Sequence, residues 1–272
     1  MTRMWIGDLE VGDSAPWILS KTNWFTPAGN NVAFTSRQNG HGSFPIHDSD
    51  VIRSNRTLSI SGTWVGDSDD MLSARDELSS FQERVVVVRF QSGDVDQFVS
   101  GVVDVDLEDV GYGDHFSWSI TVTCDDPRRY SWRQQRVSLQ GVSDVGAFTF
   151  PVSFPISFGA TGLGSNTGLL SNAGKAKAHP TIVVHGDHPS GFTLSDNLGR
   201  SISFNGPVLA ASPVTFDCLA RSCTVNGVDR AYMLGSRDWF DVEPGGSLAI
   251  SFLPAESSPT GWADVYMRDT WI

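Results

Sequence analysis

Residues 116–124 read Phe-Ser-Trp-Ser-Ile-Thr-Val-Thr-Cys, an apolar side chain at every even position and a hydroxyl at every odd one. A backbone with a side-chain period of two sends one set to a core and the other outward, so this stretch is a strand with one buried face. The pattern repeats upstream. Leu58, Ile60 and Trp64 alternate with Ser59, Ser61 and Thr63, and Val99, Val103, Val105 and Leu107 alternate with Ser100, Asp104, Asp106 and Glu108. Val85–Phe90 is short and β-branched, which predicts a strand covered on both faces. One helix interrupts the strands, at about residues 68–83. There Met71, Ala74, Leu78 and Phe81 recur at steps of three and four behind a carboxylate-rich start, Asp67–Asp70, suited to capping free amides.

The first 137 residues thus predict a β-rich domain with one helix. Residues 138–179 change character: Gly, Ser and Pro interleave with Phe, and Pro151 and Pro155 hold the chain extended, as in a connector. From 180 to 272 short alternating segments return at intervals of about ten residues. They include Ile182 and Val184, Phe192 and Leu194, Ile202 and Phe204, Val214 to Cys218, Leu248 to Phe252, and Ala263 to Met267. Turn signals at Gly191, Asn205–Gly206, Asn226–Gly227 and Pro244–Gly246 separate them, the pattern of an antiparallel β sandwich. The expected fold class is mainly β.

Composition narrows the function. The 272 residues carry 19 basic and 31 acidic side chains, a net charge of −12, which argues against a phosphate-gripping surface. No purely apolar run exceeds four residues, as at Val85–Val88, so no membrane span is expected. Asp8 and Glu10 stand where a signal peptide needs its apolar stretch, predicting a soluble protein not exported by that route. Lysine occurs only at positions 21, 175 and 177; the arginine bias reflects a GC-rich genome rather than chemistry. Cys124, Cys218 and Cys223 make no disulfide framework and no zinc motif. Cys218 and Cys223 lie close enough for a cross-strand bridge, although free buried thiols suit a reducing cytosol.

The acidity is uneven. Residues 94–126 hold nine carboxylates and no Lys or Arg. Asp104, Asp106 and Glu108 lie two apart and share one strand face, where like charges repel unless water, a cation or a basic partner screens them. They are a solvated outer face, a negatively charged lumen or interface, or a calcium site. An EF-hand is excluded, because Asp109 falls where its Gly belongs and His115 where its closing Glu belongs.

Catalytic motifs are missing. Gly12-Asp13-Ser14 is similar to the nucleophile block of GDSL-type esterases, but the late Asp-x-x-His base has no counterpart. His179, His185 and His188 around Asp187 could hold a metal, yet they read as exposed turn residues, as do His41 and His47. No metal or cofactor is expected. A paired-carboxylate glycosidase has no positive support. Tryptophans 132, 239, 262 and 271 serve packing and subunit contacts, or a sugar-stacking platform on the sandwich.

Asp125-Asp126-Pro127-Arg128-Arg129-Tyr130-Ser131 resembles the close of the N-terminal domain in distal tail proteins of long non-contractile-tailed phages. Phe150-Pro151 and Phe154-Pro155 follow where that family carries such pairs. Ser171-Asn172-Ala173-Gly174, His179-Pro180-Thr181-Ile182 and Gly186 then resemble the opening of its C-terminal domain. Asp217, Arg221, Val225-Asn226-Gly227, Trp239 and Pro244-Gly245 resemble the run before its last strand. The resemblance implies a split-barrel-like ring domain, a galectin-like sandwich and a homohexameric ring in the virion tail tip, assembled in the host cytoplasm. Its implied partners are the tail tube protein, the tail hub or tail-associated protein, and receptor-binding or baseplate proteins. DNA passes through such a ring, and the carboxylates of Asp104, Asp106 and Glu108 would repel phosphate from its lumen. A related minor tail protein, or a tail or accessory protein binding host cell-wall carbohydrate through its sandwich, is the alternative; an enzyme ranks behind both.

Overall fold

The computed structural model describes residues 2–47, 51–108, 114–141, 166–255 and 261–272. Most of the region expected to be a connector, residues 142–165, lies outside them. The chain divides into two compact units, Met1–Trp132 together with Ile272, and Arg133–Trp271.

The first unit holds β1 (Thr2–Ile6), β2 (Leu9–Gly12), β3 (Trp17–Thr22), β4 (Arg56–Val65), α1 (Met71–Ser79), β5 (Val85–Ser92), β6 (Val95–Leu107), β7 (His115–Cys124) and β8 (Arg129–Ser131). The order β6-β5-β1-β2-β3-β4-β7 returns to β6 through a β6–β7 pairing, so seven strands close into a barrel, with β8 added outside on β6. All these pairs are antiparallel except β2 with β3, which meet only at Gly12 and Ile18. β6 is long enough to serve both neighbours: its first half pairs with β5 and its second with β7. The alternation in the sequence fills the barrel, with Leu58, Ile60, Val103, Trp118, Ile120 and Val122 all buried. Gly62 permits the tight closure, because a Cβ there would lie 2.1 Å from the Ile18 carbonyl oxygen and 2.5 Å from the Trp118 ring.

Two expectations change here. β5 is covered on one face only: Val86, Val88 and Phe90 enter the core, whereas Val85 is 73% exposed and Val87 also faces out. A barrel strand has a single inner face, and the outer one is left partly open to solvent. The helix is also shorter than its periodicity suggested, spanning Met71–Ser79. Asp70 occupies the N-cap in an α-region conformation, makes no side-chain cap hydrogen bond, and no carboxylate sits in the first turn. Ala74 and Leu78 are the residues it buries.

The second unit is the sandwich. Its six-stranded sheet runs β16 (Val228–Asp229), β15 (Ser222–Val225), β14 (Val214–Asp217), β11 (Thr181–His185), β19 (Trp262–Met267), β9 (Gln135–Gln140). Its five-stranded sheet runs β10 (Thr167–Ser171), β18 (Ser247–Pro254), β12 (Phe192–Asp196), β13 (Ser201–Phe204), β17 (Leu234–Arg237). Every pairing is antiparallel. Inner-face residues of both sheets, among them Ile182, Val184, Phe216 and Val265 from one and Phe192, Phe204, Ile250 and Phe252 from the other, merge into one core. β9 and β10 were not anticipated from sequence. All three cysteines are free and buried. In the β14–β15 hairpin Cys223 stands opposite Phe216, two residues short of Cys218, so the two are not cross-strand partners.

Candidate functional site

The three carboxylates of the acidic strand lie on the outside of the barrel, exposed, while Val103 on the same strand points into the core. Register shows what surrounds them. Asp104 stands opposite Thr121 and Asp106 opposite Ser119 on β7, and these in turn stand opposite Ser59 and Ser61 on β4. Beyond β4, Lys21 on β3 faces Ser61. The outer wall of these four strands is therefore a field of hydroxyls edged by carboxylates. A shallow depression of about 550 Å³ runs along it, lined by Ser61, Thr63, Asp106, Glu108, Ser117 and Ser119. Gln82 fixes one end: its amide N–H donates to Asp104 Oδ1 at 2.8 Å, and its Oε1 accepts from the Val105 N–H at 2.7 Å. Among the described residues no group of carboxylates, histidines or cysteines is arranged to hold a metal ion.

The remaining candidates disperse. His188 is not an exposed turn residue but a core one, 1% exposed, with its ring edge-on to Phe192 and Phe252. Its Nε2 lies 3.1 Å from the His185 carbonyl oxygen, its buried Nδ1 has no hydrogen-bond partner, and burial pushes its pKa down. The sequence hid this because the β11–β12 connection folds inward, bridged to Val208 by paired backbone bonds at 3.0 Å. His185 instead stacks on Trp262, with ring centroids 4.8 Å apart. Asp264, buried on the outward side of β19, gathers the polar groups around that stack. It accepts from Ser138 Oγ, from Arg136 Nη2 at 3.0 Å and from Trp262 Nε1 at 3.2 Å, and His185 Nε2 lies 3.5 Å away. These donors hold its carboxyl below the usual range against the opposing effect of burial. Ser138 and His185 share a carboxylate already saturated by Arg136 and Trp262, so no nucleophile–base pair arises there. Asp13 of the Gly-Asp-Ser block accepts from the Thr2 backbone N–H at 2.8 Å, at the open end of the β1–β2 ladder. Among the tryptophans, Trp239 packs against the sandwich core, and Trp132 lies half-exposed across Arg89, whose guanidinium carbon is 4.4 Å from its ring.

Sequence reading missed the long β3–β4 connection, residues 23–55. Its described residues, 23–47 and 51–55, form an arm laddered by backbone bonds from Ser54 N to Gly29 O at 2.9 Å, Asn31 N to Ile52 O at 2.6 Å and Phe44 N to Thr35 O at 3.0 Å. Its apolar side chains Phe34, Phe44 and Ile52 are exposed, Phe34 at 73%. Its root is held firmly. Arg56, only 2% exposed, donates from Nη1 to the Thr26 carbonyl at 2.7 Å and from Nε to the Pro127 carbonyl at 3.0 Å. Arg129 donates to Gln97 Oε1 at 3.0 Å, an oxygen that also lies 3.4 Å from Trp24 Nε1, and its guanidinium lies over Phe25. Burial lowers the pKa of both arginines, and repulsion from Arg56 helps bring Arg129 to about 10. Thus Pro127 and Arg129 of the Asp-Pro-Arg-Arg-Tyr-Ser stretch tie the end of the barrel to the arm. Asp126 orders the same stretch by accepting from Tyr130 Oη and from the Arg128 backbone N–H at 2.9 Å. The one signal in the sequence was negative: residues 14–47 contain no carboxylate at all.

No family model and no curated protein sequence matches this chain. Solved structures do. The SPP1 Dit protein, described as a paradigm of the hub adsorption apparatus in phages infecting Gram-positive hosts, superposes with a TM-score of 0.64 at 11% identity, covering 100% of both chains. A chain of the phage P2 baseplate, in its activated conformation with calcium, follows at a TM-score of 0.52 and 12% identity, covering 99% of this chain and 98% of that one. Barrel and sandwich together, along its entire length, this chain shares the fold of the SPP1 Dit protein.

Proposed function

We propose that the protein is a structural component of a phage tail tip. Copies assemble through their barrel units into a ring, a hexamer, that joins the distal end of the tail tube to the baseplate and receptor-binding apparatus and lets DNA pass. The observation that carries this reading is the full-length match, both units in one chain, to a hub protein of an adsorption apparatus. Sequence identity is too low for that likeness to speak beyond fold, so the surface must supply the rest. Among the described residues no group of carboxylates, histidines or cysteines is arranged to hold a metal ion.

The hydroxyl-and-carboxylate wall around Asp104, Asp106 and Glu108 suits the inner surface of such a ring. Hydroxyls hydrate the wall, and the carboxylates repel a passing polyanion, so DNA slides without adhering. Each copy contributes three such charges to the ring. The partners expected on the two faces of the ring are the tail tube protein and the hub or baseplate proteins, and the site of action is the virion, after assembly in the host cytoplasm. Light scattering of the purified chain, with particles imaged alongside, tests the proposal. The expected result is a six-fold mass and a ring whose inner wall carries Asp104, Asp106 and Glu108. A monomer at every concentration overturns self-assembly, and carboxylates on the outer rim overturn the lumen assignment.

A further inference from the structure

The outer face of the six-stranded sheet carries a charge that its fold does not require. Asp264 is only 3% exposed on β19, yet it lies between Ala263 and Val265, which enter the core, and so points the other way. Across the register its neighbours on that outer face are Ser138 on β9, Val183 on β11, Thr215 on β14 and Thr224 on β15. A small hydroxyl suffices at such a place, whereas a carboxylate withdrawn from water is costly unless its lone pairs are met. Asp264 is met by surface groups: Ser138 Oγ, Arg136 Nε at 3.3 Å and Nη2 at 3.0 Å, and Trp262 Nε1 at 3.2 Å. What the buried charge achieves is the placement of those side chains.

Trp262 is placed most firmly. Its N–H is tied to Asp264, and one face of its ring lies on His185, with centroids 4.8 Å and planes 16° apart. It is 37% exposed, and among the outward residues of β9, β11, β14, β15 and β19 it is the one large apolar group open to that degree. Arg136 grips the same carboxylate, its guanidinium over Tyr266 at 5.6 Å and its side chain 58% exposed, with Nη1 outside the pair. Gln140 stands directly opposite Trp262 on β9. Away from β9 the face continues through Thr181, Thr215, Asp217 and Ser222.

A fixed aromatic ring among hydroxyl and amide groups suits a ligand with one small apolar face and many hydroxyls. A protein partner needs a broader apolar centre than a single ring supplies. A nucleotide or other anion needs positive charge in excess, but Arg136 is paired with Asp264 and the chain carries a net −12. We infer that this face is a saccharide-binding site. A neutral hexopyranose lies with its C–H face on the side of the Trp262 ring away from His185, and its hydroxyls meet Arg136 Nη1, Gln140 and Ser138 Oγ. Because the ring is held in advance, binding freezes little side-chain motion. Asp264 is a positioning residue, already saturated, and takes no sugar hydroxyl itself. The site belongs to the sandwich and rests on no part of the ring reading.

The test uses the full-length chain labelled with fluorotryptophan. The fluorine resonance missing from a Trp262→Phe variant identifies Trp262 among the nine tryptophans. Cellobiose, lactose and diacetylchitobiose, three neutral disaccharides, are titrated in turn. The expected result is a saturable shift of the Trp262 resonance with at least one of them, while the other resonances hold still. Saturation-transfer NMR on the same sugar is expected to show binding weakened about tenfold in Trp262→Ala and less in Trp262→Phe, which keeps a flat ring. Gln140→Ala, at an exposed position, is expected to weaken it several-fold with melting unchanged. A Trp262 resonance unmoved by all three sugars overturns the site, and so does binding that survives undiminished in Trp262→Ala. Should the alanine variant fail to fold, the Trp262 shift in the parent and the loss in Gln140→Ala decide, and the absence of either overturns the site. A monomeric chain that binds sugar in this way sustains the site without the ring; a ring indifferent to all three sugars keeps the ring and removes the site.

Discussion

His188 is a titratable ring sealed among Phe192 and Phe252 with one nitrogen unpartnered. Its folded pKa lies below the ordinary histidine value. The folded state therefore binds fewer protons than the unfolded one as the pH falls below about 6.5, and stability falls with it, by up to about 1.4 kcal/mol per pH unit for one proton. Above that value the contribution is flat. The sandwich is expected to melt at a lower temperature at pH 5 than at pH 7, and His188→Phe, a similar volume without the proton site, is expected to remove that part of the difference. A pH-independent gap between parent and variant would assign the effect to packing instead. The buried thiols are inert by the same physics, with Cys218 pushed up to about 12 and Cys124 to about 11, chiefly by burial. At these depths the cysteines are packing residues.

At the scale of elements, the arm and its root form one device. Arg56 spends its guanidinium on backbone carbonyls of Thr26 and Pro127 instead of on a carboxylate, so it fastens two loops to the first residue of β4. Arg56→Met keeps the stem and removes the fork. The barrel is expected to lose about 2 kcal/mol, because two part-buried hydrogen bonds from a charged donor are lost. Limited proteolysis is expected to shift to residues 26–55; unchanged cleavage there would mean that the ladder alone holds the arm. This element also marks where sequence reading runs out. Strands β4, β6 and β7 were legible because alternation records which face is buried, and it correctly sent Asp104 and Asp106 outward. Alternation cannot record what covers the other face, so the all-valine start of β5 looked doubly buried. β10, with Gly168 in it and Leu170 as its buried side chain, had too little pattern to see. The arm had none, since its backbone bonds are local and its phenylalanines point at solvent. His188 was lost for a related reason: a Gly-Asp-His-Pro turn reads as exposed, and only its pairing with Val208 turns it inward.

At the scale of the whole molecule, each unit has its own core, twenty-odd apolar residues apiece drawn from its own strands. Calorimetry is expected to resolve two transitions rather than one. Acidification should move the sandwich transition through His188, and the Arg56 variant should move only the barrel transition. A single transition shifted equally by both variants would mean that the units unfold as one. The candidate wall belongs to the barrel unit. The stretch that carries the resemblance, Asp126 to Ser131, ties the end of the barrel to the β3–β4 connection through Pro127 and Arg129.

The barrel's strand order also dictates how it must be made. β5, β6 and β7 follow one another and form a meander from contacts near in sequence, beginning at the tight turn of Gly93. The strands made first are served on one edge only: β1 has β2 and β4 has β3, but β1 waits for β5 and β4 for β7 before its second edge is covered. On a ribosome, the opening third of the chain emerges with apolar strand edges bare until Cys124 is out. Closure is then a late, non-local event and correspondingly slow.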